Sequence, residues 1–180
     1  MWLRDQLPHD FPNVRVLIYG YDTRLLRSDS FQTIDDLAVS LIAQLRGIGK
    51  TQTFTKPLLI FAHSLGGLLV KKALCLLARS GDPEAFMLDR VRLVVSFGVP
   101  SDGMSTEYLE HMVDGQPNQY LVECLSQDDP HGFLQALKES FYGIAHLRRI
   151  RLISAYETRQ TRTAKVRLQP CGCSCANRST

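Results

Sequence analysis

The chain has 180 residues and a mass of 20.3 kDa, with 44% hydrophobic and 22% charged residues. This is enough chain for one domain with a continuous buried core and too little for two. Its formal net charge of +3 is unevenly spread: five of the 21 Lys/Arg and none of the 18 Asp/Glu fall in residues 158–180, which leaves residues 1–157 at −2. A nucleic-acid face needs basic residues clustered on an ordered element, often among aromatics, and Arg159, Arg162, Lys165, Arg167 and Arg178 come with none. Nucleic acid is therefore not expected as a partner.

The apolar runs, such as 58–62 and 93–95, fall far short of the ~18 to 20 residues of a membrane-crossing helix, so no transmembrane segment is expected. The first residues, MWLRDQLPHDF, carry acids where a signal peptide has its apolar segment. Cys75 and Cys124 lie singly in apolar helical patterns, and Cys171, Cys173 and Cys175 crowd the end. An odd count without framework spacing points to a reducing, intracellular and most simply cytoplasmic setting.

In chain order, residues 14–19 (VRVLIY) form a short, β-branched run that ends at Gly20 and reads as a buried strand. Phe31, Ile34, Leu37, Ala38, Leu41, Ile42 and Leu45 have helical spacing, with Ser28, Asp29 or Ser30 as N-cap and an end expected near Gly47 and Gly49. A second buried strand covers 58–62. After the tight His63-Ser64 turn, a helix apolar on most sides covers 65–79. Residues 91–97 (VRLVVSF) read as a third strand and 149–155 (RIRLISA) as a fourth. Between them, 104–142 is helical and more polar, interrupted at 115–117 and 128–130, and is expected as an insert. Strands alternating with helices at these spacings imply an α/β domain over residues 1–157, with a mostly parallel sheet and helices on both faces. Residues 158–180 are expected to form a disordered basic tail.

The chemistry concentrates in Ala62-His63-Ser64-Leu65-Gly66-Gly67. A serine on a sharp strand-to-helix turn needs small residues two positions before and after it, here Ala62 and Gly66. Such a nucleophile elbow would expose the Ser64 hydroxyl and turn the Leu65 backbone N–H toward a developing oxyanion. His63, adjacent in sequence, would point away from that hydroxyl and is read as structural. Gly47-Ile48-Gly49-Lys50-Thr51 imitates the end of a phosphate-binding loop, but Gln44 stands where the first glycine belongs, so it reads as a helix C-cap.

Trp2-Leu3-Arg4-Asp5 with Leu7-Pro8, Tyr19-Gly20-Tyr21-Asp22, His63-Ser64-Leu65-Gly66-Gly67-Leu68 with Val70-Lys71, Phe97-Gly98-Val99-Pro100 and Gly103-Met104 occur in an order that resembles a known family. It is the lipase-like α/β-hydrolase domain of the serine-active-site-containing proteins, similar to the domain heading many fungal proteins with NACHT, ankyrin or tetratricopeptide regions. The resemblance implies an incomplete α/β-hydrolase fold and an ester or thioester hydrolase acting through an acyl-serine at Ser64 on a small acyl-ester or lipid substrate, without cofactor or metal. It also leaves open an association with mitochondrial or endoplasmic-reticulum membranes.

The departures from the family are specific. Its His-Gly oxyanion strand, which would precede the Trp-Leu-Arg-Asp helix and lie between strands 14–19 and 58–62, has no counterpart in these residues. Without it the two flanking strands would pair directly, leave a gap or recruit something else. The family histidine after the last strand is also missing, because no histidine follows His146. Glu157 matches the family's Glu-Thr position and is the candidate acid; His131 and His146 are the candidate bases, with His111 a further histidine on the insert. Asp102, Asp114, Asp128 and Asp129 are candidate orienting acids. Ser101 stands where the family commonly has histidine. The Cys-x-Cys-x-Cys tail lacks a partner histidine and reads as a foreign ending, so no metal site is expected there. The expected function is thus an impaired serine hydrolase truncated at both ends; the alternative is a non-catalytic interaction or sensing module within a larger multidomain protein.

Overall fold

The computed structural model describes residues 5–24, 27–51, 56–79 and 83–156. Trp2, Leu3, Arg4, Glu157 and the 158–180 tail lie outside the described residues. After a short helix α1 (Leu7–Asp10), the elements are α2 (Ile34–Thr51), β1 (Leu58–His63), α3 (Leu65–Arg79), a 3-10 helix (Pro83–Arg90), β2 (Val91–Phe97), α4 (Glu107–Val113), α5 (Gln119–Glu123), α6 (Phe133–Leu147) and β3 (Arg151–Ala155). The strands pair in the order β1-β2-β3, all parallel. Parallel neighbours require crossovers, and α3 and α6 supply their helices.

The core follows from alternation along the strands. Leu58, Ile60 and Ala62 of β1, Val91 and Val94 of β2 and Leu152 of β3 face α3, whose Leu68, Ala73, Leu74, Cys75 and Leu77 are buried. Helices α2 and α6 flank α3, adding Ala38 and Ile42 from one side and Leu134, Leu137, Phe141 and Ala145 from the other. A fully buried Leu or Phe contributes roughly 1.5 to 3 kcal/mol. The predominantly apolar α3 is thus the centre of the domain, as its sequence implies. On the opposite sheet face Leu59, Phe61, Phe97 and Ile153 are all more than 40% exposed.

Local chemistry sets the boundaries. Thr33, rather than Ser28, Asp29 or Ser30, caps α2: its hydroxyl accepts from the Asp36 N–H at 3.2 Å, while its own N–H donates to the Asp36 carboxylate at 2.9 Å. This reciprocal capping box holds the Asp36 carboxyl below the ordinary carboxylate value, chiefly through the Thr33 N–H. At the other end α2 runs through Gly47 and Gly49 to Thr51, so the expected C-cap is corrected to a last helical turn. Glycine inside a helix costs only about 1 kcal/mol, which the packing upstream offsets. Helix α6 stops in a Schellman-type turn, with the Ile150 N–H donating to Ala145 O at 2.9 Å and Arg149 at φ 53°. Arg149 and Ile150 are therefore spent on ending the helix, and β3 begins at Arg151 instead of residue 149.

The largest correction concerns residues 14–19. They make no sheet ladder, and Val14, Val16, Leu17 and Ile18 are exposed. Around its ends, Lys56 Nζ donates to Asn13 O at 3.1 Å and the Tyr19 hydroxyl to Leu37 O at 3.0 Å. Strand propensity cannot form a strand without a neighbour to share hydrogen bonds. Of the three outcomes open to the sequence, the structure leaves the gap.

The excursion between β2 and α6 is closed by backbone bonds from Met104 N to Leu125 O and from Gln127 N to Met104 O. Gly103, at φ +81°, lies under this clasp, and a Cβ there would come 2.4 Å from Gln127 Cα. Gly115, at φ +66°, has nothing within 4 Å of the same position. Urea unfolding should therefore show Gly103→Ala losing about 2 to 4 kcal/mol, backbone strain plus overpacking, and Gly115→Ala only about 1 to 2. Equal losses would refute the clasp.

Candidate active site

Ser64 occupies the single residue between β1 and α3 and has φ 50°, a left-handed conformation that non-glycine residues seldom adopt. Its N–H donates to Phe97 O of β2 at 2.9 Å, and its carbonyl accepts from the Gly67 N–H at 2.9 Å. The strain is held by bonds on both sides, and such strain collects at functional positions. The Leu65 N–H belongs to the first turn of α3, whose donors lack intrahelical acceptors and whose dipole favours negative charge.

The close approach falls one residue later than the sequence pattern implies. Ala62 is buried. At Gly66 an added Cβ would meet only the Tyr21 hydroxyl, at an ordinary 3.5 Å, whereas at Gly67 it would lie 2.1 Å from Val99 Cγ2. The close approach that α3 requires is thus to the loop after β2, at Gly67. Beside the turn, Tyr19 and Tyr21 stack at 5.7 Å, and burial raises the Tyr21 phenol above its ordinary value. Next to them, Arg24 grips the Asp22 carboxylate at 2.7 to 3.1 Å and draws it down to about 2.

Two open clefts flank the sheet at opposite ends. One, of about 240 Å³, lies where the strands end and is lined by His63, Phe97, Gly98, Ala155 and Tyr156. Its lining includes His63, the residue before Ser64, and the carboxyl ends of parallel strands are where such folds bind ligands. His63, set aside as structural from its sequence position, forms part of that lining. The other, of about 710 Å³, is lined by Tyr142, Ala145, His146, Arg149, Ile150 and Leu152, where β3 begins.

This separates the two candidate bases. His146 is on the last turn of α6, at the strand-start end, a strand's length from Ser64. His131 precedes α6, beside Phe133, which shares a small apolar cluster with Leu65, Tyr21 and Cys124. Its Nε2 is 3.5 Å from a Glu123 carboxylate oxygen and its ring is 5.3 Å from that of Tyr120. Among the described residues no histidine hydrogen-bonds the Ser64 hydroxyl. His111 is exposed on α4. Of the candidate acids, Asp102 pairs with Lys138, and Asp129 caps α6 through the Leu134 and Gln135 N–H groups at 3.1 Å. Asp114 is the exposed C-cap of α4, and the Asp128 N–H donates to Ser126 Oγ at 3.4 Å. Glu157 lies outside the described residues.

Among the described residues no three His, Cys, Asp or Glu side chains gather as a metal site, and no helix is long and apolar enough to cross a membrane. Cys75 and Cys124 are buried free thiols whose pKa burial raises.

A parallel sheet, crossover helices and a strained serine at the strand-to-helix turn are the arrangement of an α/β-hydrolase-like fold. No family model matches the sequence. The chain is similar to Protein SERAC1 of Danio rerio, 31% identical over 167 residues that cover 87% of this chain and 24% of that protein. It is also similar to Protein SERAC1 of Mus musculus and of Homo sapiens, each 28% identical over 172 residues covering 89% of this chain and 24% of theirs. The chain thus spans about a quarter of the length of these relatives. They lie on the serine-active-site side of the resemblance and lend no support to its fungal side. Among solved structures, the mature Bacillus licheniformis lipase BlEst2 aligns with a TM-score of 0.47 and 16% identity, over 68% of this chain and 47% of that one.

Carboxylate titration by NMR should find Asp22 charged down to about pH 2. Replacing Arg24 with Ala should raise the midpoint part of the way to the usual carboxylate range, because the residue-24 backbone N–H still donates to Asp22 at 3.0 Å; an unchanged midpoint would show that the side-chain pair does not persist in solution.

Proposed function

We propose that this chain is a serine-hydrolase-type domain, lipase- or esterase-like, with Ser64 as nucleophile and the Leu65 N–H as one oxyanion donor in a nucleophile elbow supported by Ala62, Gly66 and Gly67. The observation that carries this reading is the positive φ of Ser64 at the end of a parallel strand, beside the strand-end cleft. The reaction is acyl transfer: Ser64 Oγ attacks an ester or thioester carbonyl, the alcohol or thiol leaves, and water releases the acid from the acyl-serine. The flanking Leu59, Phe61, Phe97 and Tyr156 suit an acyl chain or lipid tail. Of the histidines, His131 with Glu123 as its orienting acid is the base this reading favours.

The domain is read as impaired, because Ser64 has no base in hydrogen-bond contact among the described residues. A site lacking part of its triad retains an acceleration on the order of 10³ over water when the oxyanion donors remain. A second reading, a non-catalytic interaction module within a longer protein, is favoured by the bare sheet face. Buried, unpaired Cys75 and Cys124 support an intracellular setting for either, and association with an organelle membrane goes with the lipid-substrate reading.

A fluorophosphonate probe with peptide mapping decides between them. The hydrolase reading expects an adduct on Ser64 that Ser64→Ala removes, and hydrolysis of a short p-nitrophenyl ester that His131→Ala slows by about 100-fold while His146→Ala leaves it unchanged. A cooperatively folded chain without a Ser64 adduct would instead support the interaction module.

A further inference from the structure

Lys71 lies two turns beyond Ser64 on α3 and is 5% exposed, unusual for a lysine. Its Nζ donates to Ser101 Oγ at 2.6 Å, in the loop that leaves β2, and the Ser101 hydroxyl makes a long 3.5 Å bond to Val99 O, weak enough to be exchanged for an amine lone pair. The Phe141 and Tyr142 rings of α6 close two more sides, with centroids 5.5 and 6.0 Å from the nitrogen. Among the described residues no carboxylate pairs with it: Asp102, whose charge it feels, is taken by Lys138. A charged ammonium has three N–H groups to satisfy and here finds one hydroxyl and two ring faces. A neutral amine needs only the Ser101 O–H for its lone pair. An unpaired buried charge costs far more than a neutral amine holding a hydroxyl.

We propose that Ser101 is a second acyl-accepting serine of this chain, with the Lys71 amine as its general base. Ser101 Oγ attacks an activated acyl or phosphonyl centre and forms the new O–C or O–P bond as its proton passes to Nζ. The leaving group departs with the electrons of its broken bond and takes up that proton. For an acyl adduct, water then attacks the acyl-serine, its proton returning through Nζ to Ser101 Oγ. Ser101 is half-buried rather than sealed, and its N–H is fixed by a 2.8 Å bond to Val99 O, so the hydroxyl is presented from a rigid loop.

The surroundings favour the base form. Desolvation, the largest effect, pushes the Lys71 amine below its ordinary value; Asp102 opposes this and Lys138 of α6 adds to it. The other titratable group facing the amine among the described residues is the Tyr142 phenol of α6, with Cys75 one turn along α3 from Lys71. Deprotonation should therefore switch on reactivity as pH rises, with a midpoint below that of an ordinary lysine. The site shares no reacting residue with Ser64 and does not depend on its assignment.

The test uses the 180-residue chain carrying Ser64→Ala, treated with a fluorophosphonate from neutral to alkaline pH, with adducts mapped by peptide mass spectrometry and folding checked by circular dichroism. The expected result is an adduct on Ser101 that rises with pH and is lost in Ser101→Ala. Lys71→Met should slow it at least about 100-fold. Lys71→Arg, which keeps the charge but cannot give up its proton, should do the same and serves if the methionine variant does not fold. The proposal is overturned by a folded Ser64→Ala chain without a Ser101 adduct, by a flat pH profile, or by an adduct rate unchanged in Lys71→Arg. An adduct on Ser64 alone in the unsubstituted chain would keep the Ser64 reading and sink this one.

Discussion

The fold depends on the junction where β1 turns into α3 through one strained residue. The Ser64 N–H is bonded to the last carbonyl of β2, and Gly67 lets the helix press onto Val99 just beyond that strand. These two contacts aim α3 back across the sheet. Since α3 is buried on most sides, its direction fixes where α2 and α6 pack. The same junction sets Ser64 and a helix N-terminus at the carboxyl end of β1, directly after His63 of the strand-end cleft. Stability and chemistry therefore share one constraint: the packing of α3 over-determines a conformation that Ser64 would not adopt alone.

The other side of the sheet shows what one missing neighbour does. β1 is an edge strand, and its Leu59 and Phe61 face outward. Residues 14–19 have the composition of a buried strand, yet all but Tyr19 remain exposed. Long apolar edges are a liability that proteins usually cover, pair or charge. The relatives this chain resembles are about four times its length, so they have further chain that could meet such a surface.

Polar groups buried against α3 and α6 carry a different tension. Lys71 stays within the core because its stem packs among apolar neighbours while its head meets one hydroxyl and two rings. The Asp102–Lys138 pair outside settles the other charges locally. The domain thus holds two serines in unlike settings, one strained and beside a cleft, the other unstrained and touching a buried amine.

Periodicity alone determined the alternation of strands and helices, the central place of α3 and the strand–serine–helix turn, because these follow from local patterns within about fifteen residues. The helix signals at Gly47 and Gly49 misled, since packing at Ala38 and Ile42 outweighs a modest glycine cost. Residues 14–19 misled for the opposite reason: their pattern was right, but a strand is defined by its neighbour. Only the tertiary structure decided which histidine shares an end of the sheet with Ser64. The direction of α6 carries His146 to the strand starts and leaves His131 at the other end of the helix, against Glu123 and Tyr120, and no spacing in the sequence encodes that direction. The meeting of Lys71 with Ser101, thirty residues apart, is likewise a product of how α3 crosses the sheet. The sequence by itself specified the strand-to-helix turn at Ser64, because a turn is local; the surroundings of each serine came from packing, which is not.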